Sequence, residues 1–175
     1  IMFSAIFQIP FLELKLKDWQ NKKNRLLSLY SSIKDNMALN DEVYTDYLNN
    51  KYNYSNYVRE IFSQELDYID SVGETKFYID CVWFEMAKPG NYHGLHNHGA
   101  LGYTCICYID SIEPDTSKIC FIAPFNDFFT GSVINYWPEI YEGLFLSFPS
   151  SLAHYTTPNL TTSNRLVLSF NLLPE

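Results

Sequence analysis

Three of the chain's four histidines fall within six positions, His93, His96 and His98 in "NYHGLHNHGALGY", and the fourth, His154, stands far downstream after "LFLSFPSSLA". Neutral imidazole is the commonest metal ligand among side chains, so the chemistry to test is a metal centre assembled from two distant parts of the chain. Pro89, Gly90 and Gly94 disfavour a helix across residues 89–94, and His93 and His96 therefore do not share a helical face. His96 and His98 are two apart. If "LHNH" opens the strand that continues as "GYTCICYID", both rings point to one side, and another strand must supply the third ligand. His154 is that candidate, delivered past an apolar strand that ends at Pro149 and turns through Ser150 and Ser151. His93 reads as a loop residue or as a group standing behind the ligands.

A second feature lies in "RLVLSFNLL". On a strand, Leu166, Leu168 and Phe170 form one face and Arg165, Val167, Ser169 and Asn171 the other. An arginine with polar neighbours facing an interior is costly to bury unless something anionic or hydrogen-bonding sits beside it, such as a carboxylate ligand.

The elements that must position these groups follow from periodicity. "LKDWQNKKNRLLSLYSSIKDN" and "SNYVREIFSQELDYIDSV" carry apolar residues at helical spacing, whereas from Thr75 onward the period shifts to two. "KFYIDCVWFEMA", "GYTCICYID", "KICFIA", "GLFLSFP" and "RLVLSFNLL" read as short strands separated by Pro, Gly, Asn and Ser, the pattern of a sandwich or barrel. The expectation is a mainly β (α+β) fold in one domain, residues 1–175. Residues 1–73 would give an N-terminal strand and helical support, and residues 74–175 the β core carrying the metal site. Trp83, Tyr136, Trp137 and Tyr141 are read as aromatic core, with the wall of a substrate mouth as the alternative.

Composition agrees and excludes some classes. With 175 residues, 47% hydrophobic and 17% aromatic, the chain can bury a core without staples. Lys and Arg number 12 against 20 Asp and Glu, and the net charge of −8 repels a phosphate backbone, so no nucleic-acid partner is expected. The apolar opening "IMFSAIFQIPFLELKL" is interrupted by Gln8, Pro10 and Glu13 and reads as a strand, and no apolar run is long enough to span a bilayer, so a cytoplasmic protein without a membrane partner is expected. Cys81, Cys105, Cys107 and Cys120 lack the C-x-x-C spacing of zinc sites and read as buried reduced thiols.

The order of these parts, "GNYHGLHNHGALGYTCICYID", then "GLFLSFPSSLAHYTTPN", then "RLVLSFNLLP", resembles the 2-oxoglutarate- and Fe(II)-dependent oxygenases. More narrowly, it resembles the small members of marine bacteria and phages, over residues 78–174 and again weakly over 2–14. The resemblance implies a double-stranded β-helix (jelly roll) with flanking helices. It also implies Fe(II) as cofactor, 2-oxoglutarate as cosubstrate, and hydroxylation of a protein side chain or small molecule as the outcome. It makes His96, His98 and His154 the metal ligands and Arg165 the partner of the cosubstrate's far carboxylate. Thr104, Tyr108 and Ser169 become candidates for the cosubstrate pocket. His98 stands where the wider superfamily has a carboxylate, and Val167 where many members have Ser or Thr. The primary substrate, peptide or small molecule, is not named by the sequence, and a homodimer is left open. Two rival readings remain: a cupin-like three-histidine metalloenzyme that does not use 2-oxoglutarate and has no use for Arg165, and a non-catalytic jelly-roll binding module that needs neither metal nor arginine.

Overall fold

Strand β10 (Arg165–Pro174) runs through the middle of a seven-stranded antiparallel sheet and decides what each face of that sheet meets. Its neighbours are β5 (Tyr103–Asp110) on one side and β4 (Phe77–Ala87) on the other. Beyond β5 come β8 (Leu144–Pro149) and β1 (Leu12–Lys15); beyond β4 come β3 (Val43–Thr45) and β2 (Ala38–Asn40). A second sheet has three strands in the order β7 (Val133–Tyr136), β6 (Ile119–Asn126), β9 (His154–Thr156). The computed structural model describes residues 8–40, 42–47, 53–113 and 116–175.

The alternation in β10 sorts the molecule into layers. Leu166, Leu168, Phe170 and Leu172 point outward from the sandwich and join a core with Phe84, Cys105, Cys107, Ile109 and Phe145. The helices α1 (Trp19–Ile33), α2 (Ser55–Ile61) and α3 (Ser63–Gly73) close over that face with Leu26, Ile33, Val58, Phe62 and Leu66. Phe62 is fully buried, its ring 5.4 Å from Phe145 and 5.8 Å from Phe170. A buried ion pair ties the helices together: Lys22 Nζ donates to Glu65 at 2.8 Å and to the Ile61 carbonyl at 2.7 Å. On the inner face, Val167 joins Ile106, Tyr108, Leu146 and Phe148, which meet Ile119 and Phe121 of the small sheet.

The two-period runs expected as strands are β4, β5, β6, β8 and β10. The N-terminal part holds more than the strand and two helices expected of it. The second helical stretch breaks at Phe62 (φ −103°, ψ 22°) into α2 and α3. The hairpin β2–β3 had no signal, because its strands are three residues each and too short to show a period. The short strands β7 and β9 were not foreseen for the same reason. Of the apolar opening, β1 lies among the described residues and residues 1–7 lie outside them.

The metal-candidate loop depends on one glycine. Gly102 has φ +76°, and a Cβ there would stand 1.9 Å from the Leu172 carbonyl oxygen. Its own carbonyl accepts from Ser150 N at 3.0 Å, and the Ser150 carbonyl accepts from His98 N at 2.8 Å. Gly102→Ala is therefore expected to cost at least about 2 kcal/mol, a fall in Tm of about 4–8 °C for a chain of this size. Gly94→Ala, where an added Cβ meets nothing within 4 Å, should stay within about 0.5 kcal/mol in the same thermal denaturation.

Candidate metal centre

His96 and His98 do not open β5, contrary to the expectation from their spacing. Gly99 (φ +119°) and Gly102 (φ +76°) bend the chain between them and Tyr103. The loop is held instead by main-chain bonds to other elements. His96 N donates to the His154 carbonyl at 2.9 Å and His154 N donates back to His96 at 3.0 Å, an isolated antiparallel bridge. His98 N is bound to Ser150 as described. The turn through Ser150 and Ser151 closes with Leu152 N on the Pro149 carbonyl at 2.9 Å. It carries the chain from β8 in the large sheet to His154, the first residue of β9 in the small one. The two-apart extended spacing survives locally, and both rings reach His154.

One ligand atom from each of His96, His98 and His154 lies within 4.8 Å of the other two. The Nε2 atoms of His98 and His154 are 3.3 Å apart, the separation of two nitrogens that share a divalent ion about 2.1 Å from each. The outer nitrogens fix the tautomers. His154 Nδ1 donates to the Leu152 carbonyl at 2.9 Å and His96 Nδ1 donates to the Gly94 carbonyl at 2.7 Å, so each Nε2 keeps its lone pair for a ligand bond. Burial, then the neighbouring imidazoles of His96 and His93, lowers His98 to about 4. Burial and the same cluster lower His154 to about 3, against a weaker opposing pull from its bond to Leu152. Both rings are neutral at pH 7. Three neutral nitrogen donors, oriented from behind, fit a divalent transition metal. His93 is not one of the three. Its ring stacks on His96 with centroids 3.9 Å apart.

Behind the triad lies a narrow inner cavity of about 20 Å³ lined by His98, His154, Tyr108, Arg165, Val167 and Ser169 among others. Arg165 is 1% exposed. Its Nη1 donates to the Ser117 carbonyl at 3.2 Å and its Nη2 to Glu85 Oε1 at 2.7 Å, while its buried Nε has no hydrogen-bond partner among the described residues. Tyr108 and Ser169 thus share a cavity with Arg165. Thr104 lies elsewhere: it is fully buried, and its Oγ1 meets Ser150 Oγ and donates to Asn171 Oδ1, both at 3.0 Å. That places it beneath the loop carrying His98 rather than on the inner cavity.

Sequence reasoning missed Glu85. Its Oε2 accepts from His93 Nδ1 at 3.2 Å, so the carboxylate bridges His93 and Arg165. Burial alone would raise its pKa. The His93 hydrogen bond and the Arg165 charge outweigh it and hold the carboxyl at about 2. The available signal was an acid in the apolar half of the strand "KFYIDCVWFEMA", two positions from Trp83 and on the same face. Glu85 pairs with Val167 across the ladder, a diagonal step from Arg165.

An outer cavity of about 270 Å³ opens in front of the triad, walled by Asn40, Val43 and Thr45 of β2–β3 and by Trp83, Asn97 and Asn171. Trp83 packs against His98 with centroids 5.4 Å apart, at the site rather than in a remote core. Tyr136 and Trp137, also expected in the core, are 47% and 43% exposed on and just after β7. β7 is the edge strand of the small sheet and is exposed at all four positions.

A jelly roll with three convergent imidazoles and a buried arginine on the next inward row defines a class, the double-stranded β-helix metalloenzymes. Residues 81–171, just over half of the chain, match the family model described as "Putative 2OG-Fe(II) oxygenase". The chain belongs to this family of 2-oxoglutarate- and Fe(II)-dependent oxygenases, with Fe(II) as cofactor and 2-oxoglutarate as cosubstrate. Solved structures share the fold. A prolyl-4-hydroxylase from Pseudomonas putida aligns with TM-score 0.64 at 13% identity, covering 94% of this chain and 92% of that one. An oxidoreductase of the 2OG-Fe(II) oxygenase family from Burkholderia pseudomallei aligns with TM-score 0.71 at 8% identity, covering 92% and 84%. HygX from Streptomyces hygroscopicus, with nickel and 2-oxoglutarate bound, aligns with TM-score 0.63 at 13% identity, covering 94% and 82%. No curated protein sequence matches the chain. No helix among the described residues is long and apolar enough to cross a membrane.

The depressed histidines set an acid limit. Between their ordinary value of 6.5 and folded values of about 4 and 3, the unfolded chain binds protons that the folded one refuses, so stability falls as pH drops through that window. Glu85, depressed from 4.5 to about 2, adds a loss in the same direction at lower pH. Urea midpoints of metal-free protein should therefore fall from pH 7 to pH 4, and His98→Leu should flatten the slope above pH 4.

Proposed function

We propose that this oxygenase hydroxylates a C–H bond of a substrate seated in the outer cavity, with His96, His98 and His154 holding Fe(II) and Arg165 holding the far carboxylate of 2-oxoglutarate. The observation that carries the reading is the juxtaposition of the triad with Arg165, whose buried Nε has no partner among the described residues and which lines the inner cavity. Iron with 2-oxoglutarate and dioxygen supplies an oxidant strong enough for an unactivated C–H bond, with succinate and carbon dioxide as co-products. The chain's own residues position and exclude. The Leu152 and Gly94 carbonyls aim His154 and His96, while Tyr108 and Ser169 offer hydroxyls on the cavity that Arg165 lines. Thr104 works at one remove, through Ser150, on the loop that carries His98. The outer cavity lies near the lower end of small-molecule sites and suits one side chain or a small polar compound.

The primary substrate is thus a peptide side chain or small molecule, with no nucleic acid or membrane partner, and a homodimer stays open. A cytoplasmic location accords with four free thiols. The pairing of Arg165 with Glu85 favours the second reading, a three-histidine enzyme in which that arginine serves the fold alone. Adding Fe(II) and 2-oxoglutarate to the protein without oxygen separates the two. A visible charge-transfer band and calorimetric binding are expected, and a protein that binds iron but not 2-oxoglutarate would overturn the oxygenase reading. Arg165→Lys keeps the charge without the planar fork, and should leave Fe(II) binding intact while raising the 2-oxoglutarate Kd by about tenfold or more.

A further inference from the structure

We propose that Glu85 is an internal competitor for Arg165, a carboxylate that occupies the guanidinium until the carboxylate of an incoming cosubstrate displaces it toward His93. The proposal rests on the oxygenase reading of the inner cavity.

Glu85 and Arg165 form a pair at 2.7 Å with side-chain exposures of 9% and 1%, in the place where a carboxylate cosubstrate would bind the arginine. The pairing is incomplete. A guanidinium can grip a carboxylate through two parallel N–H bonds, yet only Nη2 meets Glu85, and the adjacent Nε has no partner among the described residues. A carboxylate set across Nε and Nη2 would satisfy the orphan donor and take the position of Glu85 Oε1. The inner cavity, at about 20 Å³, has room for about one water, so a five-carbon diacid enters only if a wall moves.

Of the residues that line both cavities, Trp83, Glu85, His93, His96 and His98, Glu85 is the one that touches Arg165 and the one carboxylate. Its second oxygen already accepts from His93, and the larger outer cavity is open to it. Moving there exchanges one anion for another on Arg165. The arginine is never left buried and unpaired, the state that makes breaking such a pair expensive. Glu85 therefore tunes cosubstrate affinity downward while keeping the empty pocket folded.

The test compares the parent with Glu85→Gln, which keeps the shape and removes the charge. Loaded with Fe(II) and without oxygen, Glu85→Gln should bind 2-oxoglutarate about tenfold or more tighter by calorimetry, and measurable binding to the parent that is unchanged or weaker in the variant would overturn the proposal. Propionate, which carries a carboxylate but no 2-oxo group to chelate iron, is a probe independent of the oxygenase reading. It should raise the Tm of metal-free Glu85→Gln and not that of the parent; stabilisation of both, or of neither, overturns the proposal. If neither protein binds 2-oxoglutarate while propionate stabilises the variant alone, competition for Arg165 stands and the oxygenase reading falls. Should Glu85→Gln fail to fold, Glu85→Asp, whose shorter side chain reaches Arg165 less well, is expected to tighten 2-oxoglutarate binding in the same assay, and weaker binding would overturn the proposal.

Discussion

The alternation of side chains along β10 is the constraint on which the rest of the molecule depends. Leu166, Leu168, Phe170 and Leu172 are buried against the helices, each contributing about 1.5–3 kcal/mol. A slip of one residue would drive Arg165 and Ser169 into that apolar layer, so the register is fixed by the core rather than by the site. With that face committed, Arg165, Val167 and Ser169 have only the inner face left to them. The arginine is buried because the leucines are.

What was legible in the sequence was whatever a strong period or a rare residue announces. The five longer strands, the two faces of β10 and the convergence of His96, His98 and His154 could all be read from residue types and spacing. The continuous strand from "LHNH" into "GYTCICYID" could not, because a two-residue period carries through a loop as readily as through a strand until a positive φ interrupts it, and Gly99 and Gly102 supply that interruption. Thr104 and Tyr108 share one face of β5, but Thr104 stands at the loop end of the strand, where Ser150 and Asn171 take its hydroxyl and the cavity that Tyr108 lines does not reach. Residue type alone would put Tyr136 and Trp137 in the core, but β7 is an edge strand exposed along its length, and both stay partly exposed. Glu85 was hidden because its meaning comes from Arg165, far along the chain and brought beside it by sheet register, and from His93, which returns to it from the loop after β4.

The charge pattern of the site follows from its ligand set. Three neutral imidazoles bring no negative charge to a divalent ion, in contrast to the superfamily's usual carboxylate at the position of His98. Among the described residues lining the two cavities, Glu85 is the only carboxylate, and Arg165 already engages it. With no carboxylate among its three donors, the triad leaves the charge of a bound divalent ion unneutralised, which favours anionic chelators at the metal. The depressed values of His98 and His154 express the same balance: imidazoles crowded together out of water refuse a proton, and so remain available to a metal.

The three imidazoles hang from main-chain hydrogen bonds: His96 and His154 bond reciprocally, and the amide of His98 is bound by the Ser150 carbonyl. None of these bonds involves a ligating ring. At position 98 the path of the loop is consequently set without a hydrogen bond from the ring to the main chain, unlike at His96 and His154, whose rings are tied to the Gly94 and Leu152 carbonyls. The donor at position 98 is therefore the one of the three that can be exchanged while the main-chain frame around it stays in place.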